Sequence, residues 1–148
     1  GRHVSEAYDA AFGPGEDEII SATVSGRFTV WDRNTGQRIR SFPEGEASNL
    51  IDFEMSSGRD RLLAGEVDGD VSLWDPVEGY RLDRQRIHED FIYKLLFSAD
   101  EKSFYSSSLD GYIFRHPLRS GRQACMDSFP IQDYSPGELG ISEIMEGH

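Results

Sequence analysis

The chain has 148 residues, a net charge of −12 from 27 Asp and Glu against 15 Lys and Arg, and one cysteine. That length suffices for one domain with a real core. The acidic balance argues against non-specific binding to a nucleic-acid backbone, which needs clustered Lys and Arg. The lone Cys125 excludes an internal disulfide framework and fits a reducing compartment, so an intracellular place, cytoplasm or nucleus, is expected.

In chain order the first element is an alternating run, Ala7, Ala10 and Phe12, read as an edge strand. A second strand follows over Ile19–Thr23, a tight turn at Ser25-Gly26, a third strand over Phe28–Trp31, a loop at Asn34-Thr35-Gly36 and a fourth strand over Arg38–Phe42. The same sequence of elements then recurs: Leu50, Phe53 and Met55; Leu62–Gly65; Asp68-Gly69; Val71–Trp74; Val77-Glu78-Gly79; Tyr80–Asp83. It recurs again as Ile92, Leu95 and Phe97; Phe104–Ser107; Asp110-Gly111; Tyr112–Phe114; Arg119-Ser120-Gly121; Arg122–Met126. First-strand ends at Phe12, Met55 and Phe97 are 43 and 42 residues apart, and so are the turn glycines Gly26, Gly69 and Gly111. Glycine suits those turns because two-residue hairpins need positive φ. No amphipathic helical run of 10–15 residues interrupts the pattern.

Trp31-Asp32 and Trp74-Asp75 close the third strand of the first two copies, 43 residues apart. A repeat of about 40–45 residues ending in a WD dipeptide marks one four-stranded blade of a β-propeller. The chain resembles the WD-repeat family over roughly residues 3–126. The resemblance implies an all-β fold of three four-stranded antiparallel WD-repeat blades, part of a larger ring. Its expected units are residues 1–43, 44–86 and 87–126, with 127–148 as an acidic tail, linker or start of a further blade. It also implies a buried hydrogen-bond set that locks each blade. Blade three supplies His88, Ser108 and Asp110, with His116 in the Trp slot; blade one supplies His3, Thr23 and Trp31, with Ser25 for Asp; blade two keeps Asp68 and Trp74 but places Glu46 and Glu66 in the other slots. A buried His can donate to a carboxylate and accept from a hydroxyl, so such a set leaves no polar group unpaired.

Three blades do not close a ring of 4–8. Both ends of the chain read as cut, and the open arc is expected to be completed by further blades of the same protein or by another chain. Residues 127–148 contain five acids and no Lys or Arg, leaving −7 for the remainder. They read either as a loop to a next blade or as an acidic-hydrophobic docking segment.

Enzyme motifs are missing: no phosphate loop, no GxGxxG opening a helix, no nucleophile elbow. The four histidines lack metal-ligand spacing, so no metal and no cofactor is expected, nor any membrane contact. The family resemblance implies a non-catalytic protein–protein scaffold whose function lives in the loops before each first strand. Phe91, Tyr93, Tyr8, Asp90 and Asn49 are the expected partner-binding residues, because an aromatic at a loop tip or on a rim-proximal strand suits a hot spot. A second resemblance, over Trp31–Asp32–Arg33, Ser48–Glu54 and Val71–Asp75, is to telomerase Cajal-body WD proteins. It implies the alternative of a component of an RNA–protein assembly, with RNA contacts made elsewhere because this region is acidic.

Overall fold

The computed structural model describes residues 7–43, 49–119, 125–126 and 132–134, the last of these by backbone. Among the described residues there is no helix; twelve strands form three four-stranded antiparallel sheets. Blade one is β1 (Ala7–Phe12), β2 (Glu18–Thr23), β3 (Phe28–Asp32) and β4 (Arg38–Phe42). Blade two is β5 (Leu50–Met55), β6 (Leu62–Glu66), β7 (Asp70–Asp75) and β8 (Tyr80–Arg86). Blade three is β9 (Ile92–Phe97), β10 (Ser103–Ser108), β11 (Ile113–Pro117) and β12 (Gln132–Tyr134). Each sheet keeps its strands in sequence order.

The turn chemistry explains that order. Gly26, Gly69 and Gly111 have φ of 78°, 91° and 89°. At Gly69 a second constraint applies: an added Cβ would lie 2.1 Å from the carbonyl oxygen of His88. That carbonyl belongs to the loop entering blade three, and Gly69 O in turn accepts from the amides of Ile87 and His88. The hairpin of one blade is thus stitched to the start of the next.

Stacking follows from alternation along the central strands. Ile20, Ala22, Phe28, Val30 and Phe42 of blade one pack against Leu50, Phe53, Leu62, Ala64 and Trp74 of blade two. Leu63, Val71 and Leu73, on the opposite face of blade two, pack against Ile92, Leu95, Phe97 and Phe104 of blade three. Each blade therefore has a backward face, carrying the Trp position, and a forward face. Gly65 lies on a forward face; a Cβ there would sit 2.5 Å from Ile92 Cγ2, so only glycine lets the sheets approach this closely.

Polar bonds also cross the seams. Asp52 on β5 accepts from the Leu95 amide of β9 at 2.9 Å. Glu101, with φ of 56°, accepts from the Ser57 amide at 2.6 Å and pairs with Arg61. Arg59 in the matching loop of blade two, φ 59°, lies over the ring of Phe12 in blade one. Each loop thus holds a left-handed non-glycine residue whose side chain clasps the preceding blade, and these bonds offset the backbone cost.

One expected element moves. The strand that pairs with β11 is Gln132–Tyr134, with Ile113 opposite Tyr134 and Arg115 opposite Gln132. Of Arg122–Met126, expected in that place, Cys125 and Met126 are described, and Met126 bridges to Leu118. Residues 120–124 lie outside the described residues. Met126 itself belongs to the apolar seam between blades two and three. Gln132–Tyr134 lies in the stretch expected to be a tail.

Candidate functional site

The rim at which β2 turns into β3, and its equivalents in the other blades, is underpinned by the locks. In blade three, His88 is buried with Nδ1 2.9 Å from Asp110 Oδ2 and Nε2 2.7 Å from Ser106 Oγ. The carboxylate can only accept, so Nδ1 donates. Asp110 also accepts from the amides of Glu89 and Tyr112. Burial pushes its carboxyl up, but the two amides and His88 outweigh that and hold it below the usual aspartate range.

Ser106, not the expected Ser108, is the hydroxyl of this lock. Ser108 sits two residues further along β10, on the hairpin, where its hydroxyl donates to Asp90 O. The same two-residue correction applies in blade one: the indole of Trp31 donates to Ser21 Oγ at 2.7 Å, whereas Thr23 bonds Ser25 at 2.9 Å. His3 and Glu46 lie outside the described residues. His116 is buried and packs on Phe104 with ring centroids 5.4 Å apart.

Blade two is locked by charge. Arg84 Nη2 donates to Glu66 Oε2 at 2.8 Å and Arg84 Nε to Asp70 Oδ2 at 2.7 Å, with Asp68 Oδ2 at 3.5 Å. The second oxygen of Glu66 accepts from Ser72 at 2.8 Å. Burial alone would lower the Arg84 pKa, but Glu66, Asp70 and Asp68 raise it. The oxygens of Glu66, Asp68 and Asp70 lie within 4.8 Å of one another, close enough to hold a cation, and the guanidinium already stands among them. Asp68, expected to pair as Asp110 does, belongs to this clamp. Trp74 differs from Trp31: position 64 is Ala where the repeat has Ser21 and Ser106, and Trp74 Nε1 is buried without a hydrogen-bond partner.

Above the locks lies the rim. Tyr93 is 54% exposed and Tyr8 47%, at equivalent places on the first strands. Phe91 is half-buried, its ring centroid 6.3 Å from Tyr93, and its carbonyl accepts from Leu109 N. Asp90 is half-buried and accepts from the Phe91 amide; Asn49 is exposed, and its carbonyl accepts from Val67 N. Three further exposed side chains share this end: Val24, Leu109 and Tyr112, the last stacked on Phe114. Sequence reasoning missed them. The available signal was an apolar residue just before each turn, Val24, Val67 and Leu109, in a place that normally takes polar residues.

The first strands carry acids. Asp52 is buried beside Lys94 at 3.6 Å, and burial raises its carboxyl pKa, as it does for Glu54. Burial also raises the Tyr8 hydroxyl, with Asp52 and Asp9 adding to it. A cleft of about 330 Å³ along the first strands is lined by Asp9 and Phe12 of blade one, Glu54, Met55 and Arg59 of blade two and Lys94 of blade three, among others.

Neither a family model nor a curated protein matches the sequence. The fold does match. The chain is similar to the solved structure of U3-55K, a WD40 propeller protein, with a TM-score of 0.75 at 17% identity. The match covers 91% of this chain and 41% of that one, so the chain spans about two fifths of its neighbour's length. As 1115 solved chains match, the likeness identifies a WD-like β-propeller fold and no particular activity.

Proposed function

We propose that this chain is a non-catalytic, intracellular docking scaffold for other proteins, and that the rim carrying Tyr8, Tyr93 and Tyr112 is its contact surface. The observation that supports this reading most is the exposure of three tyrosines together with Val24 and Leu109 at one end of rigidly locked sheets. Aromatic side chains at loop tips are the residues that dominate interface energetics, and fixed hairpins present them at low entropic cost. The locks beneath hold the turns through His88 with Asp110 and Ser106, and through Arg84 with Glu66 and Asp70. The acidic first strands favour a partner with basic groups and disfavour direct contact with an RNA backbone.

The test uses the full chain as bait, with Tyr8→Ala and Tyr93→Ala together, and Tyr80→Ala on an outer strand as control. Partners cross-linked to the parent chain should be lost with the rim variant and kept with the control, while far-UV circular dichroism stays unchanged. Equal recovery with both variants would move the contact surface off this rim. Recovery of RNA that survives the rim variant would favour membership of an RNA–protein assembly instead.

A further inference from the structure

The three first strands share one irregularity. Their pairing with the second strands slips between Ala7 and Asp9, between Leu50 and Asp52, and between Ile92 and Lys94. Tyr8, Ile51 and Tyr93 are the extra residues, 43 and 42 apart. Such a bulge releases one residue from the ladder and re-aims its side chain. Two of the three are tyrosines, and both are exposed. Directly after them come Asp9, Asp52 and Lys94, and two residues further Ala11, Glu54 and Leu96 on the same strand faces.

The cleft of about 330 Å³ runs along these strands, from Asp9 and Lys94 next to the tyrosines to Phe12 and Arg59. Its lining is of two kinds. Ala11, Phe53 and Met55 are apolar, whereas Asp9 and Glu54 are acids. The two cations are already engaged: Lys94 stands 3.6 Å from Asp52, and Arg59 lies over the ring of Phe12. Glu54 is half-buried yet forms no ion pair with a described residue, and burial outweighs the more distant Lys94 in raising its carboxyl pKa. Asp9 is exposed and accepts only from the Ala10 amide, its neighbour in the chain. Burial, then Asp52 and Asp9, push the Tyr8 hydroxyl pKa up, so the tip of that ring stands near the same carboxylates.

Unpaired acids above an apolar floor fit a cation carried on an apolar stem. A bare metal ion needs carboxylates that converge, and among the described residues only Glu66, Asp68 and Asp70 bring three ligand atoms within 4.8 Å of one another. A lysine or arginine side chain, by contrast, lays its methylenes on apolar surface and places its charge against carboxylates and aromatic rings.

We propose, building on the docking role of this rim, that the cleft receives one lysine or arginine side chain from an extended segment of a partner protein. Glu54 and Asp9 hold the charge, Ala11, Phe53 and Met55 bed the stem, and Tyr8 and Tyr93 flank the entry.

The test is an NMR titration of the isotope-labelled full chain with the peptide acetyl-Gly-Ser-Arg-Ser-Gly-amide and with the same peptide carrying Lys or Gln in place of Arg. The Arg or the Lys peptide should shift the amides of residues 8–11, 53–55 and 94 saturably, and the Gln peptide should not. Asp9→Asn with Glu54→Gln should weaken that binding at least about fivefold, because the attraction is local. Glu16→Gln with Glu78→Gln removes the same charge from exposed residues outside the lining and should change it less than about twofold, since distant charges are screened. Equal weakening by both pairs, equal shifts with the Gln peptide, or no saturable shift up to about 5 mM of any peptide would overturn the proposal. Should the first pair lose its dispersed spectrum, Asp9→Lys at an exposed residue takes its place, with Glu16→Lys as control and the same outcomes read. The cross-linked partners separate this proposal from the rim reading. Partners lost with Tyr8→Ala and Tyr93→Ala but kept with Asp9→Asn and Glu54→Gln would overturn the cationic side chain and leave the rim as the contact surface. Partners kept with the tyrosine variant would overturn the docking role of the rim, and this proposal with it.

Discussion

Replacing Ala64 by Ser should stabilise the protein. In blade one the Trp31 indole donates to Ser21 at 2.7 Å; 43 residues later the equivalent Trp74 finds Ala64 and keeps a buried, unpaired N–H. Leaving such a donor unsatisfied costs about 1–3 kcal/mol, and a restored bond returns about 1 kcal/mol after the hydroxyl's own desolvation. At this chain length 1 kcal/mol raises Tm by about 2–4 °C. The measurement is urea unfolding of the parent, Ala64→Ser, Trp74→Phe and the double variant. Trp74→Phe alone should cost little beyond packing against Phe28 and Phe42, and the cycle should show a coupling of about 1 kcal/mol. If Ala64→Ser destabilises equally with and without the indole, the hydroxyl does not reach Nε1 and position 64 is not equivalent to Ser21.

Four further outcomes are expected. Gly65→Ala should destabilise by about 1–3 kcal/mol through overpacking against Ile92, whereas Gly111→Ala meets no atom within 4 Å and should cost only about 1–2 kcal/mol of left-handed backbone strain; thermal unfolding compares the two. Arg84→Gln should lose about 2 kcal/mol by leaving buried Glu66 without its cation, and adding Glu66→Gln should recover part of it in a denaturant titration. Asp52→Asn keeps an acceptor for the Leu95 amide and removes a carboxylate whose folded pKa is raised; its stability advantage should appear as pH rises through the ordinary carboxylate range and vanish below it. Asp110→Asn should do the opposite: its folded pKa is depressed, so the parent's advantage is full above the ordinary aspartate pKa and shrinks as pH falls toward the depressed value. Stability-versus-pH curves for both variants check these signs.

The strand order and turns were legible because they rest on local chemistry. Glycine at positive φ and period-two alternation write their own registers, as at Gly26, Gly69 and Gly111. The lock partners were readable only to within two residues. Ser106 and Ser108 both follow plausible β-strand spacing, and only cross-strand geometry decides which hydroxyl faces His88. The Arg84 clamp was hidden because Glu66, Asp70 and Arg84 sit on three different strands, and nothing in sequence separates a structural arginine from a solvated one. The outer strand of blade three differs from the expectation because both Arg122–Met126 and Gln132–Tyr134 have a strand-like composition, and no turn signature in the sequence between Pro117 and Gln132 selects one of them as the partner of β11.

The stacking of these sheets as propeller blades is tested most directly by amide exchange at Leu95. Its N–H points away from β10 and is held by Asp52 of the preceding blade. Slow exchange is expected in the parent and in Asp52→Asn, and fast exchange in Asp52→Ala, with the β9–β10 ladder still protected. Fast exchange at Leu95 in the parent chain would mean that blades two and three do not close against each other as described.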